Sequence, residues 1–244
     1  MSDLIYGRNA VYECLRAGRR KVLELRIAEG SQEKDRLAEI LDLAQSQQVP
    51  VQRVNRKVLD DLAENHQGVI LKASDYPYSD VDQILAVADE RDEAPFILIL
   101  DTLQDPQNLG TLLRTAEAAG VHGVLLPYRR TATVTPAVVN ASSGASEHLL
   151  IAQHNLAQAI GQLKEQDVWV IGLEGGEDAH PVEQVRLDGA LALVVGSEGD
   201  GMRRLVRESC DLLLRLPMRG QIKSLNAAVA GSLALFLALQ ARSS

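Results

Sequence analysis

The sequence has 244 residues, 46% of them hydrophobic and 24% charged, the make-up of an ordinary globular protein with enough chain for a sizeable core. Its two cysteines, Cys14 and Cys210, give neither a disulfide framework nor a zinc site, and the five histidines show no metal spacing, so no metal is expected. The net charge of −8 argues weakly against a nucleic-acid partner, because the acids are concentrated in one segment: residues 76–93 hold six acids and one arginine, whereas residues 1–75 hold 12 basic and 12 acidic side chains.

In chain order, the opening MSDLIYGRNAVYECLRAG lacks the basic start and apolar run of a secretory signal. GRNAVYECLRAG predicts a short helix and KVLELRIAEG a strand. Ser31 is placed to cap a helix whose Leu37, Ile40, Leu41 and Ala44 fall at helical spacing. VPVQRV is a strand, Asn55 a cap for a helix over 56–64, and GVILKAS another strand. The result is a small α/β domain over 1–74. The acidic stretch 75–94, with a short helix over VDQILAVA, is expected to link it to a second domain over 95–244. There FILILD, VHGVLLP, HLLIA, VWVIGLE, ALALVVG and DLLLRLP are buried-type strands with helical patterns between most of them, one of these over 109–119. That alternation predicts a parallel sheet covered on both faces. The longest apolar stretch, near the C-terminus, is too interrupted for a membrane span, and a reducing, cytoplasmic setting is expected.

Ligands of open parallel sheets collect outside the carboxyl ends of the strands. Three such ends carry polar and glycine residues. DPQNLGTLLRTAEAAG holds Asn108 and, six residues on, Arg114. VVGSEGDGM holds Glu198 among Gly196, Gly199 and Gly201, and LPMRGQIKSLNAAVA holds Ser224 and Asn226. Each has a plain alternative: Asn108 or Ser224 as helix caps, Arg114 paired with Glu117, and glycines serving the turn alone. The second segment lacks the G-x-G-x-x-G of a dinucleotide fold, and Ser197 stands in no G-x-S-x-G elbow. Basic clusters stand at 16–21, 53–57, 128–130 and 203–207.

Taken in order, these three segments resemble the motifs of the SpoU/TrmH family of RNA ribose 2′-O-methyltransferases, within the SPOUT superfamily. IYGRNAVYECL through HQGVILKA is also similar to the L30e-like substrate-binding domain of one branch, a branch that includes guanosine 2′-O-methyltransferases of 23S ribosomal RNA. The resemblance implies an α/β fold whose C-terminal parallel-sheet domain is tied in a deep trefoil knot. It also implies S-adenosylmethionine as cofactor, held by Gly196, Leu216 and Leu225 together with Met218 and Gly201. Arg114 is implied to bind the substrate phosphate and ease formation of an alkoxide, since a guanidinium is a poor base. Asn108, Ser224 and Asn226 would orient the ribose and the loops, and Glu198 would fix arginine or substrate. The partners implied are ribosomal RNA, with phosphate contacts from 16–21 and 53–57, and a second copy of the chain through the C-terminal helix. Thr111 and Asn140 depart from the family pattern, and Asn140 stands where a basic residue is common. Transfer RNA as substrate, a non-catalytic ribosome-assembly protein, and a small-molecule enzyme with a nucleotide cofactor are the alternatives.

Overall fold

The computed structural model describes residues 2–197, 199, 201–222 and 224–243. Its elements are numbered along the chain, and they divide into two compact units: Met1–Pro77 with Thr133–His148, and Tyr78–Ala132 with Leu149–Ser244.

The first unit contains β1 (Ser2–Tyr6), α1 (Arg8–Ala17), β2 (Val22–Ala28), α2 (Arg36–Ser46), β3 (Val51–Val54), α3 (Arg56–Asp60) and β4 (Val69–Ser74). The sheet order is β1-β4-β2-β3. β4 runs antiparallel to both neighbours and β3 parallel to β2. Asn55 caps α3 as expected, its side chain accepting from the Lys57 amide at 3.0 Å. Ser31 does not cap α2: that helix starts at Arg36, with Asp35 before it at φ +50° and no side-chain cap bond. The short helix α6 (Pro136–Ala141) and the 3₁₀ turn Ala145–His148 belong to this unit as well.

Polar bonds explain that membership. The buried Arg20 guanidinium lies on Glu147 through two bonds of 2.8 Å and reaches Asp3 at 2.7 Å. Asn140 donates to the Tyr6 carbonyl at 3.0 Å, and His148 meets Glu13 at 2.7 Å. Tyr76, stacked under Arg20 and donating to the Ser146 carbonyl, has its hydroxyl pKa pushed up to about 12, chiefly by burial. By contact, residues 133–148 group with the first unit, and the part of the acidic stretch from Tyr78 on groups with the second.

That stretch forms α4 (Val81–Glu90), closed by a full capping box between Asp80 and Gln83. It buries Val81, Ile84 and Ala88 in the second unit. The remaining elements are β5 (Phe96–Leu100), α5 (Pro106–Ala118), β6 (Gly123–Pro127), β7 (Leu150–His154), α7 (Leu156–Glu165), β8 (Trp169–Leu173), β9 (His180–Pro181), β10 (Leu191–Val195), α8 (Arg204–Ser209), β11 (Leu212–Arg215) and α9 (Ala227–Arg242). Seven strands in the order β7-β6-β5-β10-β8-β11-β9 form one sheet, parallel throughout. Every residue of β5 and β10 is buried, as helices on both faces require. Ala192 and Val194 join the core under α4, α7 and α8. Val195, on the opposite face, meets α9 at Gly231, where a Cβ would lie 2.6 Å from Leu112 of α5 and 3.1 Å from Val195. The small residues of α9 thus let it lie close against α5 and β10.

Candidate active site at the carboxyl ends of β5, β10 and β11

Three loops meet beyond the carboxyl ends of the central strands. After β5, the Asp101 amide extends the ladder to the Val195 carbonyl at 2.8 Å. Its carboxylate, 0% exposed, accepts the Arg203 amide at 2.7 Å, Nε at 2.7 Å and an Nη at 2.6 Å. A buried carboxylate fully matched by one arginine fixes the loop after β5 to the start of α8.

After β10 the chain folds back on itself. The Ser197 amide donates to the Gly201 carbonyl at 3.0 Å, and the Gly201 amide returns to Ser197 at 3.2 Å. A Cβ on Gly196 would stand 2.3 Å from the Gly201 carbonyl carbon and 2.5 Å from the Met202 nitrogen. Glycine at 196 is therefore a steric necessity, whereas Gly201 is set by its backbone, at φ +66°.

After β11, Asn226 is the N-cap of α9, its Oδ1 accepting from the Ala228 and Val229 amides at 2.9 and 3.1 Å. Its Nδ2 donates to Asn108 Oδ1 at 3.1 Å. The N-cap of α5 is Asp105, which accepts from the Gln107 and Asn108 amides, so Asn108 sits inside the helix with its side chain on Asn226. Neither Asn108 nor Ser224 is a cap.

The loops after β8, β10 and β11 line a cavity of about 680 Å³. Gly196, Gly201, Leu216, Met218 and Leu225 all line it, together with Ser224 and Asn226. No lysine or arginine lines it among the described residues. Glu174, at the end of β8, also faces it and is held by Arg207 Nε at 2.7 Å. A second cavity of about 450 Å³ holds Asn108, and Ser197 and Gly201 line both. Arg114 is exposed on α5 and is not among the described residues lining either cavity. Glu198 lies outside the described residues.

The structure adds Asp101, Glu174 and Arg203 to the residues singled out from sequence. An acid directly after a buried strand, as in FILILD and VWVIGLE, is the signal that marks the first two. The basic clusters change meaning. Arg203, Arg204 and Arg207 are paired with Asp101, Glu208 and Glu174 with Asp178, respectively. Within 16–21, Arg20 is buried and Arg19 donates to the Tyr76 hydroxyl and the Pro77 carbonyl, so neither is available for a phosphate. In 53–57, Arg53 pairs with Glu33, while Lys57 is exposed. Asn140, engaged on Tyr6, holds the end of β1.

Comparison with known proteins agrees with this geometry. Residues 95–236 match the model of the SpoU rRNA Methylase family. The chain belongs to that family. Residues 4–79 match the model for RNA 2′-O ribose methyltransferase substrate binding. The chain is 42% identical to the 23S rRNA (guanosine-2′-O-)-methyltransferase RlmB of Vibrio vulnificus, over 99% of this chain and 98% of that one. It is 44% identical to a Bacillus subtilis protein assigned to the TrmH family of tRNA/rRNA methyltransferases, over 96% and 94%. Among solved structures, the AdoMet-bound rRNA methyltransferase from Sinorhizobium meliloti superposes with a TM-score of 0.78 at 25% identity, covering 98% of this chain and 87% of that one. The SpoU methyltransferase AviRb from Streptomyces viridochromogenes, in complex with AdoMet, superposes with a TM-score of 0.81 at 20% identity, over 98% and 90%, and shares the fold. This SpoU-family chain is thus an α/β protein of the RNA 2′-O-methyltransferase kind.

Proposed function

We propose that the protein transfers a methyl group from S-adenosylmethionine to the ribose 2′-oxygen of a guanosine in 23S ribosomal RNA. The observation that carries this reading is a cavity lined by the second and third motif loops beside a smaller one lined by the first and second, the two joined by the Asn226–Asn108 bond. The 42% identity to an enzyme of that activity supports the substrate. The TrmH-family relative described as acting on tRNA or rRNA favours transfer RNA as the second reading.

The residues of the larger cavity fit the cofactor. Leu173, Val195, Leu216 and Leu225 offer apolar walls for a purine, and Glu174 offers a carboxylate for hydroxyls. The want of lysine or arginine among the described lining residues suits a nucleoside without phosphate and disfavours a dinucleotide. When bound, S-adenosylmethionine supplies a methyl group on a positively charged sulfonium, so the donor needs no further activation. What remains for the chain is to hold the acceptor in line, worth roughly 7–11 kcal/mol in well-oriented systems, and to ease loss of the hydroxyl proton. Asn108 and Asn226 hold the two cavities in register. Ser224, before the cap, orients the ribose, and Glu198 fixes arginine or substrate. Arg114 stabilises the developing alkoxide and its neighbouring phosphate as a cation.

The same reading gives the C-terminal segments a deep trefoil knot and the protein a cytoplasmic setting. It also pairs two copies through α9, where exposed Val229, Leu233 and Phe236 recur at i, i+4 and i+7. A thermal-shift screen tests the cavity: S-adenosylhomocysteine raises Tm, and NAD and ATP leave it unchanged. Stabilisation by NAD or ATP instead would overturn the cofactor.

A further inference from the structure

The second cavity carries an arginine that neither the motifs nor the pairing of charges accounts for. It is lined by Thr102, Gln104, Asp105, Asn108, Arg130 and Arg203, among others. Their charges are mostly spent inside the fold. Asp105 caps α5, and Arg203 is matched by buried Asp101. Arg130 is different: it is exposed, and no described residue forms an ion pair or hydrogen bond with its guanidinium.

Its loop is nevertheless built with care. The Thr131 hydroxyl donates to the Leu103 carbonyl at 3.0 Å, and the Ala132 amide donates to the same oxygen at 2.7 Å. The loop after β6 is thereby tied to the loop after β5. Both Thr102 and Arg130 hold left-handed backbone, at φ +58° and +60°, a conformation that side chains of this kind rarely adopt. A strained, tethered loop that presents a cation without a partner among the described residues is poised for an anion from outside the chain.

The smaller cavity also shares Ser197 and Gly201 with the larger one, so the glycine loop is the wall between them. Its volume, about 450 Å³, falls in the range of small-molecule sites. We propose that this cavity receives the acceptor nucleotide, and that Arg130 is a positioning residue that binds the phosphodiester flanking the target ribose. The assignment rests on the methyltransferase reading above. The methyl donor lies on one side of the glycine loop and the acceptor on the other, with Asn108 reaching into the acceptor side and Asn226 into the donor side. An arginine suits the task because its fork meets two phosphate oxygens at once.

Steady-state methyl transfer to an unmodified large-subunit ribosomal RNA fragment, for wild type, Arg130→Gln and Arg130→Lys across a salt series, tests the assignment. Both variants keep an unbranched polar side chain at a backbone position already left-handed, and Tm checks that each folds. Arg130→Gln is expected to raise the KM for RNA tenfold or more, the effect of losing one charged hydrogen bond, with S-adenosylhomocysteine affinity within twofold of wild type. It should also flatten the plot of log(kcat/KM) against log salt by about 0.7 to 0.9, one phosphate contact. Arg130→Lys should restore most of that slope. An unchanged KM and salt slope in Arg130→Gln, with wild type active, would overturn the role of Arg130 alone. A wild type that methylates no RNA would overturn the methyltransferase reading beneath it.

Discussion

At the start of α9 one side chain serves two helices: Asn226 Oδ1 caps its own, and Nδ2 holds Asn108 of α5. The two contacts separate by substitution. Asn226→Asp keeps the acceptor and so the cap, yet it removes the donor and sets a carboxylate against Asn108 Oδ1. Its urea midpoint should stay near wild type while methyl transfer falls tenfold or more. Asn226→Ala loses the cap as well and should cost about 1 kcal/mol of stability. Equal stability and equal activity in both variants would contradict the dual role. At Gly196 the constraint is steric. Gly196→Ala drives a methyl group into the Gly201 backbone and should abolish the calorimetric binding of S-adenosylhomocysteine. Arg114→Ala should leave that binding within a few-fold and lower transfer by orders of magnitude. Substantial residual turnover would remove Arg114 from the reaction. Motif spacing made Asn108, Ser224 and Asn226 legible as a set, but not who bonds to whom. Asn108 and Asp105 stand three residues apart in one turn; Pro106 at the first helical position makes Asp105 the cap, and Asn108 finds its partner on Asn226 of the facing helix.

Among the elements, α9 illustrates how far composition alone reaches. SLNAAVAGSLALFLALQ is apolar nearly all round, and its burial is nonetheless one-sided. Small residues face β10 and α5, whereas Val229 (48% exposed), Leu233 (48%) and Phe236 (51%) are left outside. If that stripe seats a second copy, Leu233→Asp with Phe236→Asp should convert a dimer to a folded monomer in sedimentation velocity. A wild-type protein already monomeric at micromolar concentration would contradict the pairing. A second element-level contact lies between β5 and β6. There His122 Nδ1 accepts from the Phe96 amide at 2.9 Å, and Nε2 lies 3.0 Å from Glu93. Burial lowers the His122 pKa, with Glu93 opposing and Arg91 and Arg242 assisting. Because the folded pKa lies below the unfolded one, stability is full above the unfolded value near 6.5 and falls as pH drops through it. The urea midpoint should decline between pH 7.5 and 5.5, and by less in His122→Gln. Apart from the two-residue β9, strands of the second unit were legible as apolar runs because both faces of the sheet are covered. β1 and α6 were not: β1 is a half-buried edge strand whose partner lies some seventy residues on, and α6 is a six-residue helix that begins at Pro136.

Over the whole chain, the balance of charge proved less informative than its pairing. Arginines that read as basic clusters are largely neutralised within the fold, by Glu147 and Asp3 around Arg20 and by Asp101, Glu174, Asp178 and Glu208 around 203–207. A net charge of −8 is thereby compatible with an RNA substrate gripped at a few places, among them Arg130. Spacing along the sequence does not disclose a pairing such as Arg20 with Glu147, which lie 127 positions apart. The family, by contrast, was legible from three short segments through their resemblance to its motifs, and steric need at Gly196 and the cap at Asn226 each restrict what residue can stand there. The most direct test of the account is methyl transfer from labelled S-adenosylmethionine to unmodified 23S ribosomal RNA and to a pool of unmodified transfer RNAs, with the products digested to nucleosides. The account predicts label in 2′-O-methylguanosine from the ribosomal RNA alone. Label from transfer RNA would keep the reaction and contradict the substrate, and label in neither, with S-adenosylhomocysteine still bound, would contradict the proposed activity.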